Sequence, residues 1–159
     1  MATKTLVPIE TYEHTTYHPD QELIDGELRE RNVGTFEHAK IQALLTAWFH
    51  RQRNSWSVQP LTECRVRVSP TRTRIPDLTI VGRGAFPQVL VDPPLIAIEI
   101  LSPDDTPGNL FDKANDYDKM GVGNIWLVDL KPAQGRYFLG NAGTTYKSSP
   151  FPTQKFAST

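Results

Sequence analysis

Apolar positions follow two different periods along this chain, and the switches between them mark its elements. Ile41, Leu44, Leu45, Trp48 and Phe49 recur at i, i+3, i+4, i+7 and i+8, the spacing of one helix face. Thr35 stands where an N-cap belongs, and Arg51 and Arg53 lie at the end where the helix dipole favours cations. From Cys64 to Val68 the pattern becomes strict alternation, which predicts a strand with one wet face. Residues 74–81 predict a second strand, with Pro76 near its start where a missing amide is tolerated, and Gly82 and Gly84 closing it. Leu95 to Leu101 is almost wholly apolar, the mark of a central strand buried on both faces.

Ser102 to Gly108 breaks that strand, and a second helix is predicted from about Asn109 to Met120, stopped by Gly121. Ile125 to Leu130 is the next strand. A strand, a helix of this length and a strand form a crossover unit, which favours parallel pairing. Upstream, Asp25-Gly26 between apolar pairs predicts a tight turn joining two short strands, with helix as the competing reading. Downstream, 136–139 and 145–147 would form a hairpin around 140–143. The sum is an α/β fold: a mixed central sheet flanked by helices, at least one on each side. The expected organisation is a polar N-terminal arm over 1–20, one domain over 21–147 and a tail over 148–159 with little to bury.

Composition narrows the function classes. The chain has 159 residues, enough for one domain with a real core, at 38% hydrophobic and 22% charged. Its net charge of -1 gives no global pull on nucleic acid, so any such site must be a local patch. Cys64 is the single cysteine, which excludes a disulfide within one chain and a cysteine zinc cluster; it reads as a half-buried strand residue. Residues 1–7 lack the apolar core of a secretion signal, and Glu99 interrupts the longest apolar run, so a cytoplasmic protein is expected.

That same Glu99 is the strongest chemical signal. A carboxylate inside an aliphatic strand is costly unless it is paired, protonated or bound to a cation. Metal ligand and structural ion pair are both open readings for it. Asp77 lies on the preceding strand, and neighbouring strands run about 4.8 Å apart, so the two carboxylates can converge. Oxygen ligands of this type suit Mg²⁺ or Mn²⁺, and a cation would relieve their repulsion. Lys113 stands one helical turn before Tyr117 on the helix after Glu99, from where an ammonium could reach the same place; a solvated surface lysine is the plainer reading. His38 reads as a cap contact at a helix start, Tyr117 as packing, and Asp104, Asp105 and Asp129 as turn residues. Arg65 and Arg67 share a strand face and, with Arg72 and Arg74, make a candidate phosphate stripe; a solvated face explains them equally.

Taken in order, Glu22 to Leu28, His38, Pro76-Asp77, Glu99 to Pro103, Lys113 with Tyr117, Gly121-Val122 and Trp126 to Asp129 resemble the Uma-type restriction endonucleases. These are a branch of the PD-(D/E)XK nuclease-like superfamily, and the resemblance spans roughly residues 10–135. It implies a restriction-endonuclease-like fold and metal-dependent hydrolysis of DNA phosphodiester bonds. Asp77 then matches the first acidic residue of the motif and Glu99 the second. Leu101 occupies the place of the usual lysine, and Lys113 on the following helix would supply it. By the same analogy the backbone carbonyl of Ile100 is a further metal ligand, and an N-terminal acidic residue joins the catalytic set: Glu27, or Glu22. A homodimer is the expected assembly, in which residues 1–20 could act as a swapped arm. The competing function is a non-catalytic nucleic-acid-binding or oligomeric accessory protein that keeps the nuclease fold.

Overall fold

The computed structural model describes residues 5–32 and 34–129, together with the backbone of 136–138 and 148–150. A short helix, α1 (Ile9–Glu13), leads into a hairpin of β1 (Gln21–Ile24) and β2 (Glu27–Glu30). Asp25 and Gly26 both take positive φ, 52° and 85°, the two-residue turn whose twist matches its strands. The long helix α2 (Phe36–Gln52) follows, with the Thr35 hydroxyl accepting from the His38 amide at 3.4 Å. Then come β3 (Val58–Thr62), β4 (Val66–Ser69), β5 (Arg72–Arg74), β6 (Leu78–Gly82) and β7 (Ile96–Ile100). Helix α3 (Pro107–Met120) starts at its Thr106 cap, two residues earlier than the pattern predicts, because Pro107 suits the first helical turn. It ends at Gly121, whose φ of 98° stops it. Strand β8 (Asn124–Val128) and two short strands, β9 (Arg136–Phe138) and β10 (Ser148–Pro150), complete the order.

The strands form two four-stranded sheets, ordered β2-β1-β5-β4 and β3-β6-β7-β8. The first is antiparallel. The second is mixed: β3, β6 and β7 are antiparallel, and β7 pairs in parallel with β8 across the α3 crossover, as the strand–helix–strand pattern requires. On one face Leu78, Ile80, Ile98, Ile100 and Val128 pack with Phe49 of α2; on the other Val81, Ala97, Ile125 and Leu127 pack with Ala114 and Tyr117 of α3 and with Val66 and Val68 of β4. Strand β7 is therefore covered from both sides. Its alternation sends Ile98 and Ile100 toward α2, and Ala97 and Glu99 toward α3.

Four features depart from the pattern-based expectation. The strand predicted over 74–81 is two strands in different sheets. Pro76 offers no amide, and the Ile75 N–H donates to the Glu22 carboxylate at 3.0 Å instead of to a ladder, so the chain leaves one sheet at Arg74 and enters the other at Leu78. Strand β3 lacks an alternating pattern because Pro60 sits in it, which an edge strand tolerates. Leu44 is exposed, so the buried face of α2 is narrower than its apolar spacing suggests. The N-terminal segment is not a plain extended arm: α1 buries Tyr12 completely, and Arg65 and Arg67 bind Asp20 and Glu13. At the other end β9 and β10 pair antiparallel; the turn expected at 140–143 and the strand expected at 145–147 lie outside the described residues.

Candidate metal centre

The break between the sheets positions Asp77. The register of β6 and β7 begins with Leu78 paired to Ile98, and Asp77, the residue before it, lies near enough to Glu99 for its charge to act on that carboxyl. The Ile100 N–H fastens Asp77 to β7, donating to Oδ2 at 2.7 Å. His38 Nε2 lies 3.2 Å from the same oxygen, and Arg31 Nη2 donates to Oδ1 at 3.2 Å. Gln42 binds the Asp77 carbonyl at 2.8 Å. A buried carboxylate needs such donors, since desolvation otherwise costs several kcal/mol.

Glu99 is 3% exposed and meets α3. Lys113 and Tyr117, one turn apart, take its two oxygens: Lys113 Nζ donates to Oε2 at 2.9 Å and the Tyr117 hydroxyl to Oε1 at 2.5 Å. Burial pushes the Glu99 carboxyl up to about 7; Lys113 pulls it down, and the charges of Asp77 and Glu22 push it up again. Burial works against the Lys113 ammonium, but Glu99 and Glu22 outweigh it and hold its pKa above the ordinary lysine value. Burial and the Glu99 charge together raise the Tyr117 hydroxyl well above its usual range, so it stays a donor. Lys113 is thus an ion-paired residue of the interior edge, not the solvated lysine its helix position suggests.

The two N-terminal acids separate here. Glu22 is buried on β1, accepts from Ile75 N–H and from Arg74 Nη1 at 3.0 Å each, and its charge reaches Glu99 and Lys113. Glu27 sits beside the hairpin turn, partly exposed, with Arg29 at 3.2 Å. Glu22 thus stands within electrostatic reach of Glu99 and Lys113, while Glu27, the residue preferred by analogy, sits at the hairpin turn. The Arg74 guanidinium behind Glu22 also binds Asp116 at 2.7 Å and Asp112 at 2.6 Å, which locks β5 to α3.

Over residues 9–158 the sequence matches the Uma2 family, described as "Putative restriction endonuclease". The chain belongs to the Uma2 family. Its fold is similar to a crystal structure from Anabaena variabilis, titled a putative nuclease belonging to DUF820. The TM-score is 0.79 at 17% identity, over 92% of this chain and 86% of that one. No curated protein matches the chain. Uma2 membership supports a nuclease role, and the structural likeness shows the fold.

For a Uma2 chain, the remaining charged residues divide cleanly. The candidate phosphate stripe is taken up internally. Arg65 binds Asp20 and the carbonyls of Tyr12 and Thr15, with its guanidinium 4.2 Å over the Tyr12 ring; Arg67 binds Glu13, and Arg72 binds Asp25 and Asp116. Asp105 is a turn residue, accepting from Ser102 N–H at 2.6 Å and from Asn32 at 2.9 Å. Burial raises the Cys64 thiol, in keeping with an inert half-buried residue. His38 does more than cap: its amide serves the cap while its ring faces Asp77, and that hydrogen bond raises the ring's pKa against the opposing effect of burial. Sequence reasoning missed Arg31 altogether, since it follows a strand end with no periodic context.

Among the described residues no three His, Cys, Asp or Glu side chains stand together as a metal cluster. The oxygen donors at the centre are two opposed carboxylates, Asp77 and Glu99, with the main chain of Ile100 between them. Among the same residues no helix is long and apolar enough to cross a membrane.

Proposed function

We propose that this Uma2 protein is a metal-dependent endonuclease that hydrolyses DNA phosphodiester bonds, with Mg²⁺ or Mn²⁺ held by Asp77, Glu99 and the Ile100 carbonyl. The observation that carries the reading is the juxtaposition of Asp77 and Glu99 at the end of β6 and β7, buried, with the Lys113 ammonium 2.9 Å from Glu99. The donor set fits the cation. All three donors are hard oxygens, and a small dication that keeps part of its water shell needs few of them. The Glu99 carboxyl is lifted to about 7 chiefly by burial, with the charges of Asp77 and Glu22 adding to it against the pull of Lys113, and a cation would relieve both. When bound, a cation there would supply Lewis-acid charge to the phosphate and lower the pKa of water.

The chain's own residues divide the remaining work. Lys113, held protonated by two carboxylates, suits stabilisation of charge developing on the phosphate better than proton removal. Tyr117 fixes the second oxygen of Glu99, and the Ile100 amide and His38 fix Asp77, so both carboxylates are held in orientation before substrate arrives. Glu22 takes the role of the N-terminal acidic residue, and Glu27 is the alternative. A homodimer, which would offer one centre to each strand of a duplex, belongs to the same reading.

Purified protein should nick or linearise plasmid DNA in Mg²⁺ or Mn²⁺, and Glu99→Ala should abolish both cleavage and calorimetric metal uptake. No cleavage, together with a Glu99→Ala titration identical to wild type, would sink the reading. One observation favours the competing non-catalytic module: all four oxygens of Asp77 and Glu99 already have protein donors. That reading expects no metal uptake at all.

A further inference from the structure

Arg31 differs from the other arginines around the centre. Arg74 places three donors on three carboxylates at 2.6–3.0 Å and is 5% exposed. Arg31 places one donor on Asp77 Oδ1 at 3.2 Å, and its other end is 3.6 Å from Glu63, beyond hydrogen-bond length. Its side chain is partly open to solvent, and Glu63 is exposed. The next residue, Asn32, is anchored through its side-chain amide to Asp105 Oδ1 at 2.9 Å.

The oxygen it covers also matters. Asp77 Oδ2 is taken by the Ile100 amide and His38, which leaves Oδ1 as the oxygen a cation would approach. On the side of the Asp77 backbone carbonyl, which accepts from Gln42 Nε2 and from the Glu63 amide, opens a groove of about 470 Å³ lined by Ala39, Gln42, Ala43, Thr62 and Glu63.

We infer that Arg31 occupies the cation-binding oxygen of Asp77 in the metal-free protein and, once displaced by a divalent cation, turns into the groove to bind a phosphate of the nucleic-acid strand. This rests on the metal-dependent nuclease reading of the same centre. A dication at Asp77 repels the guanidinium and attracts phosphate, and the planar fork of an arginine matches two phosphate oxygens. The exchange moves one side chain and breaks no covalent bond.

The test is paired binding, by calorimetry with Mn²⁺ alone and by titration of a short DNA duplex in Ca²⁺ over a salt series. Arg31→Ala should bind Mn²⁺ about five-fold more tightly, since a partly exposed ion pair no longer competes. The same variant should bind duplex about ten-fold more weakly, with a log-affinity against log-salt slope smaller by about one. Arg31→Gln, which keeps a donor for Asp77 without the charge, should behave alike and serves if Arg31→Ala does not fold. Unchanged or weaker Mn²⁺ binding, an unchanged salt slope, or failure of both variants to fold would overturn the proposal and leave the nuclease reading intact. Wild-type protein that takes up neither Mn²⁺ nor duplex would overturn both.

Discussion

Replacing Lys113 by methionine should destabilise the metal-free protein little at pH 5 and substantially at pH 9. The stem of the side chain is kept, so the change isolates the ammonium that faces Glu99 at 2.9 Å. Glu99 titrates near 7 when folded, against an ordinary value of 4.5. A carboxyl whose folded pKa is raised binds more protons folded than unfolded across that window. Its neutral form is therefore fully tolerated below pH 4.5, and stability falls as pH rises toward 7, then levels. At pH 5 Glu99 is largely neutral with or without Lys113, and the variant loses only packing, roughly 1 kcal/mol. At pH 9 Glu99 is ionised, buried and without its cation, a situation that costs about 3–5 kcal/mol for a fully buried pair. Lys113 is 20% exposed at its side chain, so the lower end applies. Protonation of Glu99, which the loss of the ammonium favours, caps the loss. Urea denaturation in chelator at intervals from pH 5 to 9 measures this directly. A stability difference that stays flat across that range would refute the reasoning, because Glu99 would then not be the group that Lys113 neutralises.

Two further outcomes test the framework. Glu22→Gln should cost about 2–4 kcal/mol, since it leaves Arg74 short of a buried carboxylate, whereas Glu27→Gln at its exposed pair should cost about 0–1 kcal/mol; equal melting shifts would contradict the separation of the two acids. Phe49→Ala, at a residue 1% exposed between α2 and the second sheet, should cost about 3–5 kcal/mol in chemical denaturation, and a loss under about 1 kcal/mol would contradict its place in the core.

The elements that sequence pattern resolves are those whose burial is set by one neighbour. Strand β7 reads directly because both faces are covered, and α3 reads directly at its end, where Gly121 is a local signal, whereas its Thr106 cap and Pro107 fall in the segment that pattern assigns to the break after β7. The 74–81 run misleads because what divides it is a side chain 52 or more residues away: Glu22 captures the Ile75 amide, and nothing near Ile75 announces that. At the candidate centre, Asp77 and Glu99 stand out as carboxylates among aliphatic residues. Lys113 does not, since a lysine on a helix looks alike whether it faces water or a carboxylate. Arg31 and the ring of His38 find Asp77 only through the tertiary fold, and the choice between Glu22 and Glu27 turns on which edge of a hairpin faces inward.

The pocket draws on β1, the junction before β6, strand β7 and helix α3, and this spread has a consequence for synthesis. Translation delivers Glu22 early and Tyr117 late, with Asp77 and Glu99 between them. Contacts of such long sequence separation form late in folding, after the loops between them have closed. A growing chain short of residue 117 lacks the hydroxyl that takes Glu99 Oε1. The complete pocket therefore needs the chain through Tyr117 of α3, which carries both donors to Glu99.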